Sequence, residues 1–270
     1  MLPRVVACDL DGTLLRSDGI LSQRTRRALA VAQDGGALVV LCTARPVRWV
    51  QPMAAVIGGR PIAVCANGGV VWDLQRDLLI AELTLDPGAA QAVVVALDAA
   101  FPGGCWAVER THGFAHEPAY RPRWPVPAET VIAGVDALLQ EPPVKLLFRH
   151  DGHSPDEMLG PAREQVGPLA ELTHSNSADG LLEISAAGVN KASTLARVCG
   201  SRTIGPEAVI AFGDMPNDLA MLEWAGTSVA VANAHPDVLA AADELTLSND
   251  EDGVALVLER IWSSASAKYK

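Results

Sequence analysis

Val5-Val6-Ala7-Cys8-Asp9-Leu10-Asp11-Gly12-Thr13 opens as an unbroken apolar run and closes on two carboxylates with one residue between them. A run this short and apolar, covering residues 4–10, reads as a buried strand that stops at a loop. In an open parallel sheet, ligands bind beyond the carboxyl ends of the strands, so Asp9 and Asp11 stand where chemistry is done. Two anions this close are unfavourable unless a cation or a shared proton relieves their repulsion. Solvated strand-end turns also use Asp and Gly, so the motif alone does not decide. The strand before it is too apolar for a surface turn, which shifts the balance towards function.

Outward from that stretch, strands and helices alternate. Ser22 is placed to cap a helix through about residue 33, which Gly35-Gly36 end. Residues 37–42 form a second buried strand, followed by Thr43-Ala44-Arg45-Pro46. Pro46 suits the first turn of a helix, which Pro52 kinks or shortens. Residues 62–65 make a third strand, and Asn67-Gly68-Gly69 turns the chain into residues 70–72. The rhythm predicts an α/β fold, a doubly wound and mostly parallel sheet.

Near Asp86-Pro87-Gly88 the pattern changes to mixed helices (89–100, 154–166) and strands (around Trp106, 145–148, 171–173, 181–184). Residues 121–127 are too proline-rich for regular structure. Residues 86–187 therefore read as an α+β domain inserted into a core made of residues 1–85 and 188–270. The core resumes with a helix at 191–198, a strand at 209–212, a helix at 217–224 and a strand at 228–231. Pro236 opens a short helix, 245–247 is a short strand, 253–262 a last helix, and 263–270 a frayed tail.

The bulk properties narrow the function. The chain has 270 residues, 49% hydrophobic and 20% charged, with a formal net charge of -11. That charge argues against nonspecific nucleic-acid binding. No apolar run approaches the roughly 20 residues that span a bilayer, and the apolar stretch before Asp9 reads as too short for a signal peptide. Five cysteines without a CxxC or Cys/His spacing suggest reduced, buried thiols. The expectation is a cytoplasmic protein with no nucleic-acid or membrane partner. Its oligomeric state is not set by the sequence.

Three further polar groups sit at element ends. Thr43 ends the second strand, where a hydroxyl and free N–H groups suit a phosphate oxygen, although a capping threonine looks the same. Lys191 opens a helix against its macrodipole, which a local anion would explain; an ordinary exposed lysine is the alternative. Gly213-Asp214-Met215-Pro216-Asn217-Asp218 gathers carboxylates after a buried strand, an oxygen-rich setting that suits a hard cation such as Mg²⁺.

These four clusters, in order, resemble the motifs of the haloacid dehalogenase superfamily. The insertion, with Asn67-Gly68-Gly69 before it and Gly188-Val189-Asn190-Lys191 after it, resembles the type 2 cap of the Cof-type subfamily. Ala44 and Ala192 depart from the glycines many such relatives carry; both are small, and the backbone is expected to adjust. The resemblance implies a Rossmann-like core and a Mg²⁺-dependent phosphatase acting on a small phosphorylated metabolite, sugar phosphates first. By it, Asp9 is the nucleophile that forms an aspartyl-phosphate, and Asp11 protonates the leaving alcohol and then activates water. Asp9, the Asp11 backbone carbonyl and Asp214 hold the metal, with Asp218 ordering its shell. Thr43, Lys191 and Asn217 hold phosphate oxygens, and Arg45 contacts substrate or cap. Arg110, His112, His116, Arg121, Arg123, Arg149, His150 and His174 are the polar cap residues from which specificity is expected to come. His235 reads as a capping residue. A phosphomutase of the same fold and a non-catalytic phosphate-binding protein are the competing readings.

Overall fold

The computed structural model describes residues 2–266, which form two compact units: Glu82–Asn190, and the segments that flank it. The first flanking segment carries β1 (Val5–Cys8), α1 (Gln23–Asp34), β2 (Leu38–Cys42), α2 (Val47–Val50), α3 (Ala54–Ile57), β3 (Ile62–Cys65), β4 (Val70–Asp73) and β5 (Leu78–Glu82). Ser22 caps α1 by accepting from the Thr25 N–H. Pro52 removes a helical donor, so the helix expected after Pro46 breaks into α2, a 3-10 turn at Gln51–Met53, and α3.

The inserted unit carries α4 (Pro87–Ala100), β6 (Cys105–Arg110), β7 (Gly113–His116), β8 (Val131–Ile132), α5 (Val135–Leu138), β9 (Lys145–Arg149), α6 (Pro155–Val166), β10 (Ala170–Thr173) and β11 (Leu181–Ala186). The strands form one sheet in the order β10-β11-β9-β6-β7-β8, antiparallel except for the β7–β8 pair. Alternation decides the two faces. Trp106, Val108, Leu146, Phe148, Leu182 and Ile184 join α4 and α6 in the unit's core. The opposite face buries Ala107, Phe114, Tyr120 and Leu147, and a Lys145–Glu183 ion pair 2.5 Å long. Ser154 and Glu157 form a capping box that starts α6.

The chain then returns with α7 (Lys191–Gly200), β12 (Val209–Gly213), α8 (Leu219–Trp224), β13 (Thr227–Ala230), α9 (Pro236–Ala241), β14 (Glu244–Leu245) and α10 (Gly253–Ser266). The sheet of this unit runs β14-β13-β12-β1-β2-β3-β4-β5. Every adjacent pair from β14 to β3 is parallel, and β4 returns antiparallel to β3. The step from β1 to β2 runs one way along the sheet and that from β12 to β13 runs the other. Right-handed crossovers therefore put α1 and α8 on opposite faces. The order reverses between β1 and β12, so the crevice beyond their carboxyl ends is where ligands bind in such sheets.

Several elements differ from the sequence expectation. β5, β7 and β8 were not anticipated; β5 is an exposed edge strand without a polar alternation, and β8 has two residues. The insertion begins at Glu82 and ends at Asn190, against the expected 86–187. The last helix continues through Ser266 where a frayed tail was expected from 263, and 267–270 lie outside the described residues. No helix among the described residues is long and apolar enough to cross a membrane.

Phe148 tests the core assignment of the inserted unit. It is fully buried, its ring 4.7 Å from that of Trp106. Phe148→Ala is expected to destabilise by about 3–5 kcal/mol, read as a lower denaturation midpoint. A loss within experimental scatter would contradict the assignment.

Candidate active site

Asp9 follows β1 directly, and its N–H donates to the Phe212 carbonyl on β12, extending the parallel ladder into the site. Its side chain is buried, with Oδ1 accepting from Lys191 Nζ at 2.6 Å. The same ammonium donates to Asp218 Oδ1 at 2.7 Å. Lys191 is wholly buried at the first position of α7. Burial alone would lower its pKa, but Asp218 and Asp9 hold it well above the usual lysine value.

Asp218 shapes the loop after β12. Its Oδ2 accepts from the Asp214 and Met215 N–H groups, both at 3.1 Å, and its Oδ1 takes Lys191. Asp214 is buried beside it, with Oδ1 accepting from Thr13 at 2.7 Å. Burial, aided by the Asp218 charge, pushes the Asp214 carboxyl up to about 7, against Thr13 and Lys191. Burial likewise raises Asp9, against Lys191, with Asp218, Asp214 and Asp11 adding to the rise.

Asp9, Asp214 and Asp218 each offer a carboxylate oxygen within 4.8 Å of the others. Three hard oxygen donors at one strand-end crevice fit a divalent cation of the Mg²⁺ kind. Burial first, and then the mutual repulsion of carboxylates gathered around one ammonium, raises these acids. Gly12 belongs to the same arrangement. Its φ is +82°, and a Cβ there would lie 2.3 Å from Asp214 Oδ2, so only glycine lets the two loops meet.

The other expected residues fall into two groups. Asp11 lies outside that group of three carboxylates: its carboxylate is exposed and gripped by Arg45, Nε to Oδ2 at 2.7 Å and a terminal nitrogen to Oδ1 at 2.5 Å. Arg45, expected to meet substrate or cap, is thus the partner of Asp11. Thr43 is buried at the end of β2, and its Oγ1 accepts from the Arg45 N–H at 3.1 Å, a turn-closing contact. Asn217 is buried, and its Nδ2 donates to Asn67 Oδ1 at 3.0 Å.

In the inserted unit, Arg123, Arg149 and His150 line a cavity of about 450 Å³. Asp179 pairs with both arginines, and Arg149 lies over the Tyr120 ring. Arg110 bonds the Leu138 carbonyl, His116 the Glu117 carbonyl, and Arg121 the Pro118 carbonyl; His174 pairs with Asp156, and His112 is exposed. His235 caps α9 by accepting from the Asp237 N–H.

Four residues of this site were not singled out from the sequence. Thr13 fixes Asp214, and Asn233 Nδ2 donates to the Gly12 carbonyl at 2.8 Å. Asn249 donates through Nδ2 to the Leu15 carbonyl and through its N–H to Asn233 Oδ1. Asn67 meets Asn217. Their common feature is an asparagine or threonine in a loop at a strand's carboxyl end, which is too frequent to stand out unaided.

A sequence model of haloacid dehalogenase-like hydrolases matches residues 6–258. A 5-amino-6-(5-phospho-D-ribitylamino)uracil phosphatase of Bacillus subtilis is 30% identical over 259 residues, covering 96% of this chain and 95% of its own. A pyridoxal phosphate phosphatase of Escherichia coli is 27% identical over 268 residues, covering 94% and 97%. The solved structure of a haloacid dehalogenase-like hydrolase from B. subtilis superposes with a TM-score of 0.81 at 25% identity, covering 95% and 99%.

The raised acids make a pH prediction for the metal-free chain. Asp214 titrates near 3.8 when unfolded and near 7 when folded, so between those values the folded chain holds more protons. Stability is therefore present at the acid end of that window and lost as pH rises through 7. With chelator, the thermal midpoint should fall between about pH 5 and about pH 8, by on the order of a few kcal/mol of stability. Added Mg²⁺ should restore it, and Asp214→Asn should flatten the profile. A chelated wild-type chain more stable at the higher pH would contradict the charge balance described.

Proposed function

This chain belongs to the haloacid dehalogenase-like hydrolase family, and from that premise we propose that it is a phosphatase of small phosphate monoesters. The observation that carries the reading is the buried cluster at the sheet's switch point: Asp9 on Lys191, with Asp214 and Asp218 beside it. The 30%-identical relative is named for a phosphorylated ribityl chain, so sugar and polyol phosphates are the first substrates to try, ahead of aromatic phosphates such as pyridoxal phosphate. The free cysteines support a cytoplasmic setting.

An Asp9 carboxylate oxygen attacks phosphorus, the ester P–O bond breaks, and an aspartyl-phosphate forms. Asp11 gives the leaving alkoxide its proton, so the product alcohol departs neutral. Asp11 then takes a proton from water as the water oxygen bonds to phosphorus and the Asp9–phosphorus bond breaks. Since Arg45 occupies both Asp11 oxygens, at least one must be released before Asp11 acts. Lys191 keeps Asp9 ionised and oriented, and Asp218 keeps Lys191 in place. Asn217 and Thr43 line the phosphoryl position. Asp9, Asp214 and the Asp11 carbonyl would hold Mg²⁺, with Asp218 behind them; the ion supplies charge neutralisation between the anionic nucleophile and the anionic phosphate.

Phosphate release across sugar, polyol, nucleotide and cofactor phosphates tests the reading. Release should require Mg²⁺ and disappear with chelator. Asp9→Asn should lower kcat by about a thousandfold or more, and Asp11→Asn by about a hundredfold or more while metal binding persists. Equal turnover in Asp9→Asn and wild type would sink the mechanism.

A further inference from the structure

Ala66-Asn67-Gly68, between β3 and β4, does more than turn the chain. Ala66 and Asn67 have φ of +51° and +55°, two successive non-glycine residues in the left-handed region. Each such residue costs about 1 kcal/mol or more, and persists only where its surroundings fix it. Here they do. The Ala66 N–H donates to the Arg45 carbonyl at 2.9 Å, and the Asn67 N–H to the Thr43 carbonyl at 3.0 Å. Thr194, on the same helix as Lys191, donates to the Gly68 carbonyl at 2.9 Å. With the Asn217–Asn67 bond, one short segment joins the loop after β2, the Lys191 helix and the loop after β12.

The Asn67 amide is 2% exposed, and its Nδ2 has no partner among the described residues; the same holds for Asn217 Oδ1, in a residue 8% exposed. Exchanging O and N in both side chains does not remove the deficit. The bond then runs from Asn67 to Asn217, and the pair still has one unused NH₂ and one unused oxygen. A buried amide donor without a partner costs about 1–3 kcal/mol. It is tolerated most readily where a ligand completes it.

We propose that Asn67 is a positioning residue for phosphoryl binding: it locks Asn217, so that the amide pair presents one unshared NH₂ to an anionic oxygen of the ligand. This rests on the phosphatase reading, which supplies an acceptor-only oxygen for that donor. An amide carries no charge, so its contribution is direction: it selects the phosphoryl orientation while Lys191 supplies the charge.

The test is calorimetric titration with inorganic phosphate in the presence of Mg²⁺. Asn67→Gly deletes the side chain and tolerates the left-handed backbone. Asn67→Asp keeps the size and the acceptor that Asn217 uses, but replaces the NH₂ with a carboxylate oxygen. Asn67→Gly and Asn217→Ala should each weaken phosphate binding about tenfold. The double variant should be little weaker than either single one, because the pair acts as a unit. Asn67→Asp should be the weakest single variant. Thermal midpoints are recorded alongside; if Asn67→Gly fails to fold, the aspartate variant carries the test. Unchanged phosphate affinity in Asn67→Gly or Asn67→Asp, or singles whose effects multiply, would overturn the inference. With phosphate release by the wild type still abolished in Asp9→Asn, that result would leave the phosphatase reading standing. No phosphate binding by the wild-type chain would overturn both.

Discussion

A fully buried ammonium holds this site together. Taking a lone lysine charge out of water costs several kcal/mol, yet Lys191 sits at zero exposure between Asp9 at 2.6 Å and Asp218 at 2.7 Å. The three groups come from the end of β1, the start of α7 and the loop after β12, so the ion triad exists only when the discontinuous core is assembled across the insertion. Asp218 carries the ordering further by receiving the N–H groups of Asp214 and Met215. Counting Asp214 as well, three carboxylates against one ammonium leave a formal charge of −2 when all are ionised. A divalent cation would neutralise that charge; without one, burial and the neighbouring carboxylates raise the Asp214 and Asp9 carboxyls.

Around this triad, neutral hydrogen bonds set positions that charge alone would leave loose. Gly12 allows Asp214 to approach the first loop, and Asn233 and Asn249 tie that loop to the C-terminal part of the chain. The Asp11–Arg45 pair follows a different logic. Asp11 lies outside the acidic cluster, on the exposed side, held by a residue of the neighbouring loop. That separation leaves one carboxylate buried and fixed on a lysine and the other accessible.

Much of the core was legible because its signals are strong and local. A four-residue strand with no exposed side chain can only be central in a sheet, so Val5–Cys8 announces where Asp9 sits. The same logic located the strand before Asp214. Lys191 was legible as a helix start at odds with its macrodipole, and burial between two carboxylates explains the oddity. What escaped notice depended on tertiary partners. Asn67 reads as an ordinary turn residue until Asn217 is placed beside it, 150 positions away in sequence. Arg45 was expected to contact substrate or cap, and nothing in the chain order places it on Asp11. In the inserted unit, β8 is only two residues long and β7, Gly-Phe-Ala-His, carries no continuous apolar run, and the unit's basic residues are tied to Asp179, Asp156 and backbone carbonyls through contacts that spacing does not encode.

The central claim is that Asp9 becomes covalently phosphorylated, and chemical trapping addresses it most directly. Enzyme quenched during turnover is reduced with borohydride, which converts an aspartyl-phosphate to homoserine, and the peptide containing position 9 is then sequenced by mass spectrometry. The account predicts homoserine at position 9, dependent on substrate and on Mg²⁺, and at no other aspartate. Turnover of a good substrate with position 9 unmodified, or with homoserine at Asp11, Asp214 or Asp218, would contradict it.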